Sequence, residues 1–129
     1  MSHIVEQECL IKDLDALAIA CMRLGLELRR DQKTHAWWGS FVGDSPGIEG
    51  RDPATYGTCE HAIGERGVLA LNGPGGQWEI GVVKRVDGHG YTLVVDTFGQ
   101  PGRRLTELAG PGLKRLIEEY GVEVATKRL

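Results

Sequence analysis

The chain has 129 residues, 41% of them hydrophobic and 26% charged, with a formal net charge of −3. That fits one globular domain, residues 1–129, able to bury about two-thirds of its unfolded surface without a disulfide or metal. No apolar run approaches the roughly 20 residues a bilayer span needs, which excludes a membrane helix. The basic residues come as isolated pairs (Arg29-Arg30, Lys84-Arg85, Arg103-Arg104, Lys127-Arg128), which argues against a nucleic-acid footprint.

Residues 2–11 carry the β-branched and apolar character of a strand. Asp13 stands at the N-cap of a helix, with Asp15 favoured in its first turn by the helix dipole. Leu14, Leu17, Cys21, Leu24 and Leu28 recur at helical spacing, and Gly25 suits the position just past a helix end. After a polar break at 29–33, THAWWGSFVG reads as a strand. From Gly43 to Gly57 the chain holds four glycines, two prolines and no apolar period. A long loop over 43–61 follows from that texture, and loops of this length in compact domains usually serve function. Residues 68–71 read as a short buried strand, closed by the Gly73-Pro74-Gly75-Gly76 turn.

The next stretch is the clearest β signal. Trp78, Ile80, Val82 and Val86 share one face, and Glu79, Gly81, Val83 and Arg85 the other. Asp87-Gly88-His89-Gly90 makes the hairpin turn, and 91–96 the return strand. The run 98–102 breaks it, and 105–109 makes a helical turn. Leu113, Leu116, Ile117 and Tyr120 build a second amphipathic helix stopped by Gly121, and 122–129 reads as an edge strand. The order is β-α-β-loop-β-β-β-α-β. Its natural solution is an α+β fold, one antiparallel or mixed sheet of five to six strands with two helices on one face, ferredoxin-like or split βαβ.

Two segments carry a resemblance. MSHI followed by IKDLDALAIACMRLGLEL, and the hairpin WEIGVVKRVDGHGYTLVVDTFG, resemble the hypothetical chloroplast reading frame thirty-five family, a family of unknown function with bacterial and viral members. The two matches cover about a third of the chain. The middle, 43–71, departs from the family pattern, and its YGTCEHAI is closer to small phage-type versions. The resemblance implies a fold more than an activity.

Candidate sites centre on YGTCEHAIG. Cys59 and His61 could ligate zinc, but a tetrahedral site needs four ligands and no CxxC or HxxxH completes the set, so His35, His89, His3, Cys9 or Asp96 would have to join through the fold. As a nucleophile–base couple they would share a face of an extended segment. Against both stands a buried thiol beside a hydrogen-bonded imidazole. Trp37 and Trp38, consecutive on a strand, point to opposite faces, so one should face outward and, with Tyr56, anchor a partner or a flat ligand. GDSPGIEGRD and NGPGGQW match no phosphate-cradle motif, so no cofactor is expected. Asp44, Glu49, Arg51 and Asp52 form a mixed-charge loop. Asp96 is a strand-end carboxylate that could meet Arg85 or orient His61 if buried.

Three functions follow as expectations. The leading one is a non-enzymatic binding or adaptor protein that recognises a nucleotide-like small molecule or a protein. Its surface would be the 43–61 loop with Trp37, Trp38, Arg51, Tyr56, Cys59, His61, Lys84 and Asp96. The second is a small enzyme using Cys59, His61 and Asp96. The third is a structural subunit assembling through the sheet edge at 122–129. The three cysteines, odd in number and widely spaced, read as reduced thiols, and the acidic start lacks the layout of a secretory leader. A cytoplasmic protein, assembling as a homo-oligomer, is therefore expected.

Overall fold

The computed structural model describes residues 2–43 and 46–128; Met1 lies outside it, as do Asp44 and Ser45 of the expected loop and Leu129 of the expected last strand. Five strands form one open sheet: β1 (Ile4–Ile11), β2 (Leu26–Arg29), β3 (His61–Glu65), β4 (Ile80–Lys84) and β5 (Tyr91–Asp96). They lie in the order β1-β5-β4-β3-β2, every neighbouring pair antiparallel. Three helices, α1 (Leu14–Arg23), α2 (Gly99–Ala109) and α3 (Lys114–Lys127), complete the α+β fold. The β1–α1–β2 unit is split: its two strands are the sheet edges, with the β3–β4–β5 meander between them.

Local chemistry sets the boundaries. The Asp13 carboxylate accepts the Ala16 amide at 3.0 Å and starts α1. Gly25, at φ 78°, turns the chain out of that helix and straight into β2. The register defines two faces. Ile63, Ile80, Val82, Leu93 and Val95 point to one of them, where they pack with Leu17 and Cys21 of α1, Leu105 of α2 and Leu116 of α3 in the main core. The other face carries Ile4, Val83 and Val94. It is covered by residues 30–43 and 46–60, which supply Trp37 as core and Trp38, Phe41, Ile48 and Tyr56 around it. A sheet covered on both sides explains why IGVV and YTLVVD are nearly continuous apolar runs.

Several expectations are corrected. The strand expected over THAWWGSFVG is an irregular segment lying across the sheet, tied to the loop by one isolated bridge between Thr34 and Thr58. The strand that follows α1 is instead β2, whose Leu28 belongs to the sheet rather than to the helical stripe. Residues 68–71 are not a buried strand: Leu69 and Leu71 are 89% and 65% exposed. The helical turn at 105–109 extends back to Gly99. The expected edge strand at 122–129 is helix as far as Lys127, because α3 runs through Gly121 with Tyr120 and Val124 packed on the main core. No sheet edge exists there to assemble through. Among the described residues no helix is long and apolar enough to cross a membrane.

Candidate functional site

The site lies on the loop-covered face and begins with missing side chains. Ala62 and Gly64 of β3 and Gly81 of β4 leave that face of the sheet shallow, and two polar side chains sink into it. A Cβ on Gly64 would stand 2.5 Å from Nη1 of Arg29, and one on Gly81 would stand 2.6 Å from Cδ2 of His35. An isolated glycine in a strand marks such a close approach.

Side-chain oxygens hold the covering segment by three successive amides. Oε1 of Glu79 accepts the Ala36 amide at 3.0 Å, Oδ1 of Asn72 the Trp37 amide at 2.9 Å, and Oδ2 of Asp96 the Trp38 amide at 3.1 Å. Glu79 is fully buried and also accepts from Arg29 at 2.8 Å and Gln32 at 2.9 Å. Burial opposes the charge on Arg29, but its hydrogen bonds to Glu79 and Glu27 outweigh burial and raise its pKa. Two further bonds to the Glu65 and Val68 carbonyls give the two terminal nitrogens of that guanidinium four acceptors in all. A buried charge pair with its hydrogen bonds complete organises structure more than it offers reactivity.

His35 is different. It is 3% exposed, yet neither ring nitrogen has a hydrogen-bond partner among the described residues. Burial pushes its pKa below the usual histidine value, although the nearby Glu79 and Ala36 backbone and the Glu79 and Asp96 charges act the other way. A neutral imidazole needs one donor and one acceptor for its nitrogens, and leaving them unmatched costs about 1–3 kcal/mol each.

Two clefts meet at this ring. A wide groove of about 890 Å³ runs between residues 34–37 and 67–72, with Trp37, Asn72 and Glu79 in its walls. A narrower cleft of about 250 Å³ lies between the 48–58 segment and the sheet, its lining including Arg51, Tyr56, Glu60, Val83, Lys84 and Val94. His35, Tyr56, Gly57 and Thr58 border both. At the narrow cleft Arg51 bonds Glu6 at 2.8 Å and the Lys84 carbonyl at 2.9 Å, which fastens the covering segment to β1 and β4. Glu60 accepts the Lys84 amide at 2.6 Å. The exposed ammonium of Lys84 has no ion pair among the described residues, so it is the cation available at the mouth.

The sequence-derived residues therefore divide. Arg51, Tyr56 and Lys84 converge on one cleft. Cys59 and His61 do not form a couple facing it. The thiol donates to the Gln32 carbonyl at 3.2 Å, and Nδ1 of His61 accepts the Asp31 amide at 2.9 Å. Both side chains thus brace the turn after β2. Burial, reinforced by the charges of Glu79 and Glu60, pushes the Cys59 thiol up to about 12, the reverse of an activated nucleophile. His61 stands level with Val82 and Leu93 on the helix side, whereas Asp96, three positions beyond Leu93, faces the loop side. A Cys59–His61–Asp96 constellation does not assemble. Nor does Asp96 meet Arg85, which pairs with Asp87; it accepts the amides of His3, Trp38 and Phe98. Among the described residues no three His, Cys, Asp or Glu side chains group as metal ligands.

Neither tryptophan is an outward platform. Trp37 is 7% exposed and meets Tyr56 edge-on at 6.1 Å; Trp38, half-buried, meets Phe98 at 5.7 Å. Sequence reasoning reached His35 only as one possible zinc ligand and missed Glu79 and Asn72 as site residues. Gly81, inside an otherwise β-branched strand, was the available signal for the place of His35. Comparison with family models, with curated proteins and with solved structures finds no match.

Proposed function

We propose that the protein is a small-molecule binding protein whose site is the cleft between the 48–58 segment and β4–β5, with a compact nucleotide-like anion as ligand. The carrying observation is the convergence of Arg51 and Tyr56, from the loop, and Lys84, from the end of β4, on one cleft of about 250 Å³ with a free cation at its mouth. That volume suits a ligand of mononucleotide size or smaller. Lys84 offers a point charge for a phosphate or carboxylate, and Tyr56 an aromatic edge for a flat ring. A binding rather than catalytic role is supported by the protonated, hydrogen-bonded thiol of Cys59 and by the saturated carboxylates of Glu79 and Asp96. Calorimetric titration with adenosine, guanosine and uridine monophosphates tests the reading. At least one is expected to bind, more weakly at high salt and in Lys84→Ala; failure of all three would overturn it.

One observation favours a protein partner as a second reading. Leu69 and Leu71 project into solvent on the rim of the wide groove. Exposed leucines beside a concave surface are a feature of docking sites. Loss of partner capture in Leu69→Ser but not in Lys84→Ala would separate that role from the first.

A further inference from the structure

We infer that the wide groove and the narrow cleft are the two halves of one ligand site joined at His35, and that His35 selects the ligand through the hydrogen-bonding edge of a nucleobase. This rests on the nucleotide-like reading above and adds to it the group that is recognised. The ring is buried between the two clefts, and both nitrogens lack partners although the surrounding carboxylates are saturated. Buried polar atoms are nearly always satisfied, so an orphaned imidazole at the junction of two clefts is the place where a ligand would complete the network. Gly81 exists in a form that makes this placement feasible, since any side chain there would evict the ring.

What closes the ring off is thin. The partition is the Tyr56–Thr58 backbone, held beside His35 by the bond from the His35 amide to the Gly57 carbonyl at 2.9 Å and by the Thr34–Thr58 bridge. Gly57 sits at φ 90°, and a Cβ there would stand 2.5 Å from Nε1 of Trp37, so the partition has no side chain at its centre. A small displacement of this segment brings the imidazole into contact with a ligand lying across both clefts. The two ring nitrogens point in divergent directions, so one meets a single donor or acceptor on the edge of a purine or pyrimidine while the other takes a water admitted by the displaced segment. The phosphate end reaches Lys84 in the narrow cleft and the base lies towards Asn72 in the wide one. The ligand class is thus a nucleoside monophosphate read at both ends.

The test uses wild type, His35→Phe and His35→Gln with adenosine and guanosine monophosphates, and ribose 5-phosphate as the ligand lacking a base. Binding is measured by calorimetry, and the imidazole nitrogens are followed by long-range ¹⁵N correlation spectra. A nucleotide should shift both His35 nitrogen resonances. His35→Phe should lose affinity about tenfold or more while melting no lower than wild type, because it removes the orphaned atoms along with the contact. His35→Gln, which keeps a donor and an acceptor, should retain part of the affinity, and ribose 5-phosphate should bind all three proteins alike. Nucleotide binding by wild type with unmoved His35 resonances and an equally tight His35→Phe would overturn the inference and leave the anion-binding cleft standing. So would ribose 5-phosphate binding as tightly as the nucleotides. No binding of any phosphate ligand by wild type would remove the nucleotide-like reading, and the role of His35 with it.

Discussion

Glu79 and Asp96 hold one backbone segment from two strands: Glu79 accepts the Ala36 amide and Asp96 the Trp38 amide, two residues further on. Both carboxylates are buried on the loop-covered face, and each spends its oxygens on main-chain or paired side-chain donors. Trp37 lies between the two held amides and His35 just before the first, so the geometry of both clefts depends on these two acceptors.

Asp96→Ala leaves three amides, of His3, Trp38 and Phe98, without their acceptor. At about 1–3 kcal/mol for each orphaned donor, a loss of at least 3 kcal/mol is expected in urea unfolding, a large share of a typical domain's stability. Asp96→Asn keeps one oxygen and should cost roughly half as much. Near-ultraviolet circular dichroism should lose tryptophan signal in step, since the Trp38 amide is held by this residue.

Gly81→Ala places a methyl 2.6 Å from the His35 ring and leaves the strand backbone unstrained. The ring must move, and overpacking of that kind costs about 1–3 kcal/mol. Pairing it with His35→Ala should recover most of the loss in a double-mutant cycle. Additive losses would mean that the two positions do not share the space.

Cys59 should be inert in the native protein. With its pKa pushed up to about 12 from 9.0, the thiolate fraction at pH 8 falls about a thousandfold. Labelling by iodoacetamide at Cys59 should therefore track unfolding, and Cys59→Ala should leave ligand affinity unchanged. Rapid native-state labelling would reopen the enzymatic reading.

The pH dependence of stability has a sign set by His35. Burial lowers its folded pKa beneath the ordinary 6.5, so as the pH falls through 6.5 the unfolded chain takes up the proton first. Stability due to the neutral ring is complete above that pH and declines below it. Wild type should lose more stability between pH 7 and pH 5 than His35→Gln does, as read from urea midpoints at the two values.

How much of this is legible in the sequence varies with the range of the interaction. α1 and the β4–β5 hairpin are readable because cap, period and turn act within a few residues, as at Asp13 and at Asp87–Gly90. β2 is hidden because Leu24 and Leu28 continue the helical spacing of α1, while Gly25 has already ended the helix. The end of α3 misleads for the opposite reason. Gly121 and the alternating Val122-Glu123-Val124 suggest a stop and a strand, but packing of Tyr120 and Val124 on the main core outweighs roughly 1 kcal/mol of glycine penalty. In the site, Arg51, Tyr56 and Lys84 could be named from residue type and loop position. His35, Glu79 and Asn72 could not, because their roles come from contacts across 35 to 47 positions of chain.

Native mass spectrometry of the protein with and without added nucleoside monophosphates, alongside Lys84→Ala, tests the binding site most directly. One ligand mass per chain is expected, lost on denaturation and reduced in the variant. A bare chain mass at every nucleotide concentration, or equal loading of Lys84→Ala, would contradict a nucleotide-like ligand held in this cleft.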